Sequence, residues 1–191
     1  MFFLNLTKNN KQKYYILMEN QNLEIKKYIL TYGSLLGGIS VVFGLMLFFF
    51  DMHYQQETSV NVVNSLISIS VIGVAQFAYR KDNEGFMSLG QGIKIGLGTS
   101  VISGVMGVVY FLILSNILDP EMMNKALEMG MNQFMDQNPE ASEEMIDQVK
   151  SMQEKFTGPV ITSSFILIFS LFFGLIFSLI TGLILKRNRP E

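Results

Sequence analysis

The chain has 191 residues, 14 basic and 16 acidic side chains, a net charge of -2, no cysteine and one histidine, His53. This excludes a disulfide framework, a thiolate metal site, a cysteine nucleophile and a multi-histidine metal centre, and it offers no basic surplus for nucleic acid. Hydrophobic residues reach 49% without counting glycine and charged residues only 16%, against about a quarter charged in a soluble domain, so the composition is that of a membrane protein.

Residues 1–27 read as a cytoplasmic N-terminal segment. Its opening, "MFFLNLTKNNKQKYYILMEN", is not a signal peptide, because the apolar start is short and the lysines follow it instead of preceding it. Met18 opens "MENQNLEIKKYILTYG", a natural lead into a membrane span, so residues 1–17 are read as an upstream extension or a disordered lead rather than a short peripheral helix.

Crossing a bilayer takes about 20 mostly apolar residues. Three segments of 28–118 qualify, and a fourth lies at 160–185. The first, Tyr28–Phe50, carries small residues four apart: Gly33 with Gly37, Ser34 with Gly38, Ser40 with Gly44. The loop after it, "DMHYQQETS", has no lysine or arginine. The second span, Val60–Tyr79, is the least apolar and leads into Arg80 and Lys81. Asn64, Gln76 and Asn116 fall near span ends, as do Tyr28, Tyr54 and Tyr79, where aromatic belts sit.

The stretch "LGQGIKIGLGTSVISGVMGVVY" (Leu89–Tyr110), which leads into the third span, Ile93–Leu118, holds six glycines and Lys94. It is not a phosphate loop. Gly85 and Gly90 have the Walker separation, but Gln91 stands where lysine is needed. Nor is it a dinucleotide fingerprint, since Gly96 comes one residue too late after Gly90-Gln-Gly92 and no strand precedes it. The period that fits is four: Gly92, Gly96, Ser100 and Gly104 share one helix face. Small side chains there let another membrane helix approach closely. Lys94 is within about one turn of the boundary, and its stem reaches the headgroups.

Residues 119–159 form the one sizeable segment outside the membrane and read as two short helices. Asp119 is placed to cap the first, with Pro120 and Glu121 following, and Asn138-Pro139 ends it. In the second, Ala141, Met145, Val149, Met152 and Phe156 recur at spacings of three and four, up to Gly158-Pro159. The arm carries three lysines against nine acids and seven of the 13 methionines. Thioethers suit Cu(I), and Met129, Met131 and Met135 have a ligand-like spacing. With neither cysteine nor histidine in the arm, the reading adopted is an adaptable apolar docking face, and no metal or cofactor is expected. No carboxylate is paired with a nucleophile or base at a recognisable spacing, so no catalytic set assembles.

The fourth span, Val160–Leu185, repeats the small-residue period at Ser170, Gly174, Ser178 and Gly182, and residues 186–191 form a basic tail. Eleven of the fourteen basic residues lie in the N-terminal segment, at the second-to-third connection and in the tail. That bias puts both termini in the cytoplasm and the 119–159 arm outside.

The chain resembles the domain of unknown function 4199 family, small integral membrane proteins of Bacteroidetes. The likeness runs from about Met18 to Arg187, through "KKYILTYGSLLGGISVVFG", "FMSLGQGIKIGLGTSVISGVMGVVYFLILSNILDPEMM" and "EEMIDQVKSM", with "GQGIKIG" and "ILDP" the most specific parts. The resemblance implies four helices in the inner membrane and brings no reaction or ligand. Genes of this family often sit beside family-two glycosyltransferase genes, which implies an envelope-glycan glycosyltransferase as partner. The expected fold is an all-α bundle of four transmembrane helices with a helical extracytoplasmic arm between helices 3 and 4. The expected role is a non-enzymatic accessory or assembly subunit, in a homo-oligomer or with another membrane protein; the alternative is a small transporter or channel subunit.

Overall fold

The computed structural model describes residues 2–52 and 58–189, with side chains from Ile25 onward. They form six helices: α1 (Phe2–Phe49), α2 (Thr58–Asp82), α3 (Leu89–Ile113), α4 (Met122–Gln137), α5 (Glu143–Phe156) and α6 (Pro159–Leu185). A π turn at Leu114–Leu118 closes α3. Ile25–Phe49, Thr58–Asp82, Leu89–Leu118 and Pro159–Leu185 are long and apolar enough to cross a membrane, and they agree with the four spans read from the sequence to within four residues at each end. The chain is an all-helical membrane protein. His53 and Tyr54 lie outside the described residues.

The connection between α2 and α3 shows how local chemistry sets the helix ends. Glu84 and Gly85 turn the chain at φ 57° and 82°, the left-handed region that glycine adopts without steric cost. Ser88 then caps α3: its hydroxyl accepts from the Gln91 N–H (3.3 Å), and the Ser88 N–H donates to Gln91 Oε1 (2.9 Å). This is a reciprocal capping box. Gln91, the residue standing where a phosphate loop needs lysine, thus serves the start of a helix. At the other end of the chain, Pro159 opens α6 after Gly158, where its missing N–H costs nothing.

α3 lies at the centre of the bundle. α1 runs parallel to it on one side and α6 antiparallel on another, as the pairings below establish. α2 reaches the others through its second half: Val71, Ile72, Ala75, Gln76 and Tyr79 are buried, whereas no residue of Thr58–Ser70 is. The largest core cluster sits where α1 and α3 begin and α2 and α6 end, and it joins Ile25, Tyr28, Ala75, Tyr79, Met87 and Ile95. At that end a backbone bridge links Met87 to Arg187, with N–H···O distances of 2.9 Å both ways.

Two sequence expectations change here. Tyr28 and Tyr79 are not belt residues facing lipid headgroups. They are 8% and 1% exposed and meet edge to face, centroids 5.4 Å apart, with the Tyr28 hydroxyl donating to the Asp82 carboxylate. Bringing α1 and α2 together encloses the rings, and Asp82 supplies the acceptor a buried phenol needs. Asp119 does not cap α4. Its carbonyl accepts the Met122 N–H at 3.1 Å, its carboxylate lies 3.4 Å from Lys125 Nζ, and Glu121 occupies the cap position without a side-chain bond. The π turn carries the chain past the geometry an aspartate cap requires.

Candidate functional site

Two features are candidates for function: the seams around α3, and the hairpin formed by α4 and α5.

The α3–α6 seam is built from small residues on both sides. Gly92 faces Gly182, where an added Cβ would lie 3.4 Å from the Gly182 Cα. A Cβ on Gly96 would collide with the Ser178 Cβ and come within 3.1 Å of both the Ser178 Cα and Ile72 Cγ2. Gly174 faces Ser100, and a Cβ there would sit 2.5 Å from the Ser100 Cβ. Gly104 faces Ser170, with a Cβ 2.8 Å from its hydroxyl oxygen. Each four-residue step along α3 is matched by a four-residue step back along α6, as two antiparallel helices in constant register require.

Polar atoms bind the same seam. The Ser170 hydroxyl donates to the Ser100 carbonyl at 2.6 Å. Gln76, fully buried on α2, donates from Nε2 to the Gly92 and Ser178 carbonyls, each at 3.1 Å. One side chain therefore ties α2, α3 and α6 together. The sequence placed Gln76 only near a span end; its signal was its place on the stripe Ile72–Gln76–Tyr79, spaced four and three.

The α1–α3 seam works differently. Gly33 and Gly37 do not meet small residues; they receive large ones. A Cβ on Gly33 would lie 2.6 Å from Ile102 Cβ, and one on Gly37 3.0 Å from Met106 Cβ. In the opposite sense Gly98 of α3 takes Ile29 of α1, and further along Gly44 takes the ring of Tyr110. Ile29, Gly33 and Gly37 each pair with the residue 69 positions later, the signature of parallel helices. Lys94 is exposed on α3.

The α4–α5 hairpin buries no residue. Ser142 caps α5 by accepting from the Met145 N–H at 3.3 Å, and Gly130 lets α5 approach, since a Cβ there would be 3.3 Å from Gln153 Nε2. Met129, Met135, Met145, Met152 and Phe156 remain exposed. Met145, Met152 and Phe156 fall within one narrow stripe of α5. Phe156 continues it onto α6, where Phe165, Phe169, Phe173 and Phe177 follow at centroid spacings of 5.9–6.4 Å. The methionines considered for copper do not converge: positions two apart on a helix face away from one another, so Met129 and Met131 point to opposite sides of α4. Among the described residues no three His, Asp or Glu side chains are grouped to hold a metal ion.

Residues 31–187, which contain both seams and the hairpin, match the model of the family described as Protein of unknown function (DUF4199). The chain belongs to this family. The match takes in all four spans of the DUF4199 chain, the first from Thr31 onward, with the Ser88–Gln91 cap, Gln76 and the hairpin. No curated protein and no solved structure matches it.

Proposed function

We propose that this DUF4199 protein is a non-enzymatic accessory subunit of the inner membrane whose α4–α5 hairpin docks a membrane-protein partner outside the cytoplasm. The observation that carries the reading is the exposed stripe Met145–Met152–Phe156, which runs without a break into the phenylalanine ladder of α6. A soluble partner would cover only the hairpin part and lipid only the α6 part, so a partner that itself enters the bilayer covers both. Methionine suits such a face because its flexible, polarisable side chain adapts to a partner's contour. The sidedness rests on charge. Lys26, Lys27, Arg80, Lys81, Lys94, Lys186, Arg187 and Arg189 lie at one end of the bundle, and the acidic hairpin lies at the other. The α3–α6 seam is read as the scaffold that holds the hairpin's two anchor points, the ends of α3 and α6, in fixed relation.

Affinity purification in mild detergent, followed by mass spectrometry, tests this reading. The native chain retains a stoichiometric membrane partner, and the triple variant Met145→Glu, Met152→Glu, Phe156→Glu loses it while staying folded. Identical partners for both chains, or none for either, would overturn it. A second reading, a small transporter subunit, draws on one observation: Gln76 Oε1 and Thr99 Oγ1 are buried inside the bundle with no hydrogen-bond partner among the described residues. Solute flux into proteoliposomes that Thr99→Val abolishes would favour it.

A further inference from the structure

Beside α2, along the outer half of α1, runs a groove that neither the seams nor the hairpin uses. Two adjacent four-residue rows of α1 form most of it, Ser34–Gly38–Val42–Met46 and Leu35–Ile39–Phe43, and Ile67 of α2 borders it. It exists because α2 packs only through its second half, so the first half of α2 leaves the side of α1 uncovered. Gly38 deepens it: a Cβ there would meet no atom within 4 Å, in contrast to Gly33 and Gly37 on the buried side of the same helix.

The dimensions select the occupant. The groove encloses about 540 Å³. The twelve-residue advance from Ser34 to Met46 is about 18 Å of helix, close to the roughly 15 Å hydrocarbon depth of one leaflet. Volume over length gives a mean section of about 30 Å². A helix about 10 Å across needs about 80 Å², whereas a hydrocarbon chain about 4–5 Å across by carbon contact distances needs about 20 Å². The groove runs from mid-span to the end of α1 that carries the exposed Asp51, and no lysine or arginine lies between Asp51 and Val60. A headgroup there meets negative charge, which favours an ammonium group and repels an anionic headgroup. We propose that this groove holds one acyl chain of an amine-headed phospholipid from the leaflet on the hairpin's side, independently of what the hairpin docks.

The test uses the full chain purified in detergent, supplied with phosphatidylethanolamine or phosphatidylglycerol and examined by native mass spectrometry. The expected result is one retained phosphatidylethanolamine per chain, reduced at least tenfold by Gly38→Phe, whose ring occupies the groove, and unaffected by Val101→Phe on a different exposed face. Because the chain contains no tryptophan, Val42→Trp supplies a sole fluorescent reporter that does not depend on the filled-groove variant folding. Phosphatidylethanolamine brominated on its acyl chain, added at one equivalent, should quench Val42→Trp and leave Val101→Trp bright. The proposal fails if no lipid is retained, if phosphatidylglycerol is held equally, if Gly38→Phe retains lipid as the native chain does, if the two reporters quench alike, or if the chain is a dimer that Gly38→Phe dissociates.

Discussion

Replacing Gly96 by alanine adds one methyl group at the tightest point of the α3–α6 seam. The new Cβ collides with the Ser178 Cβ and lies 3.1 Å from the Ser178 Cα, a backbone atom that no rotamer change can move. Ordinary carbon contacts are about 3.5–4.0 Å, so α6 must retreat by about 0.5–1 Å, a gap that forfeits a quarter to a half of the dispersion energy along the seam. Overpacking of this kind costs about 1–3 kcal/mol. The same retreat stretches the Gln76 bond to the Ser178 carbonyl from 3.1 Å, and the Ser170–Ser100 bond from 2.6 Å; interhelical hydrogen bonds in membranes average about 0.6 kcal/mol each. The total is about 2–4 kcal/mol against the fold. Gly38→Ala is the matched comparison. It adds the same methyl group in a helix of the same membrane, but into open space, and gains about 0.5–1 kcal/mol from the better helix propensity of alanine. Thermal denaturation in detergent, followed by loss of the monodisperse chromatographic peak, should therefore move in opposite directions for the two variants. Equal transition temperatures would refute the reasoning, because they would mean that the seam is not close-packed.

Gly104→Leu should lower the same transition through its contact with Ser170, while Val101→Leu, on an exposed position of α3, should leave it unchanged. Gln76→Leu preserves apolar volume but removes both carbonyl bonds; it should cost about 1 kcal/mol, seen as a lower transition temperature at unchanged helix content by circular dichroism. Substituting Met129, Met131 and Met135 together by leucine should leave copper tolerance of the cells and the copper content of the purified protein unchanged; a stoichiometric Cu(I) that the substitutions abolish would contradict the placement of Met129 opposite Met131.

The spans were legible because bilayer thickness imposes one long apolar run per crossing, and run length survives in one dimension. The four-residue spacing of small residues also pointed to a helix face. It could not say what that face meets: Gly96 and Gly33 look alike in the sequence, yet one receives a serine across an antiparallel seam and the other an isoleucine across a parallel one. Partner and direction are properties of the packed pair. Gln76 was missed for a related reason, since a polar residue near the end of a span reads as one reaching for water until its neighbours close over it. Tyr28 and Tyr79 misled in the same way. The Asp119 cap failed because a π turn, which has no strong sequence signature, came first.

The account depends most on sidedness, because a hairpin on the cytoplasmic side could not meet a partner outside. Single cysteines at Asn83, in the α2–α3 connection, and at Gln137, at the hairpin tip, are introduced into a chain that has no native cysteine and exposed to a membrane-impermeant maleimide in intact spheroplasts. Labelling at position 137, with position 83 reacting only after lysis, is the result predicted; labelling at 83 and protection at 137 would contradict it.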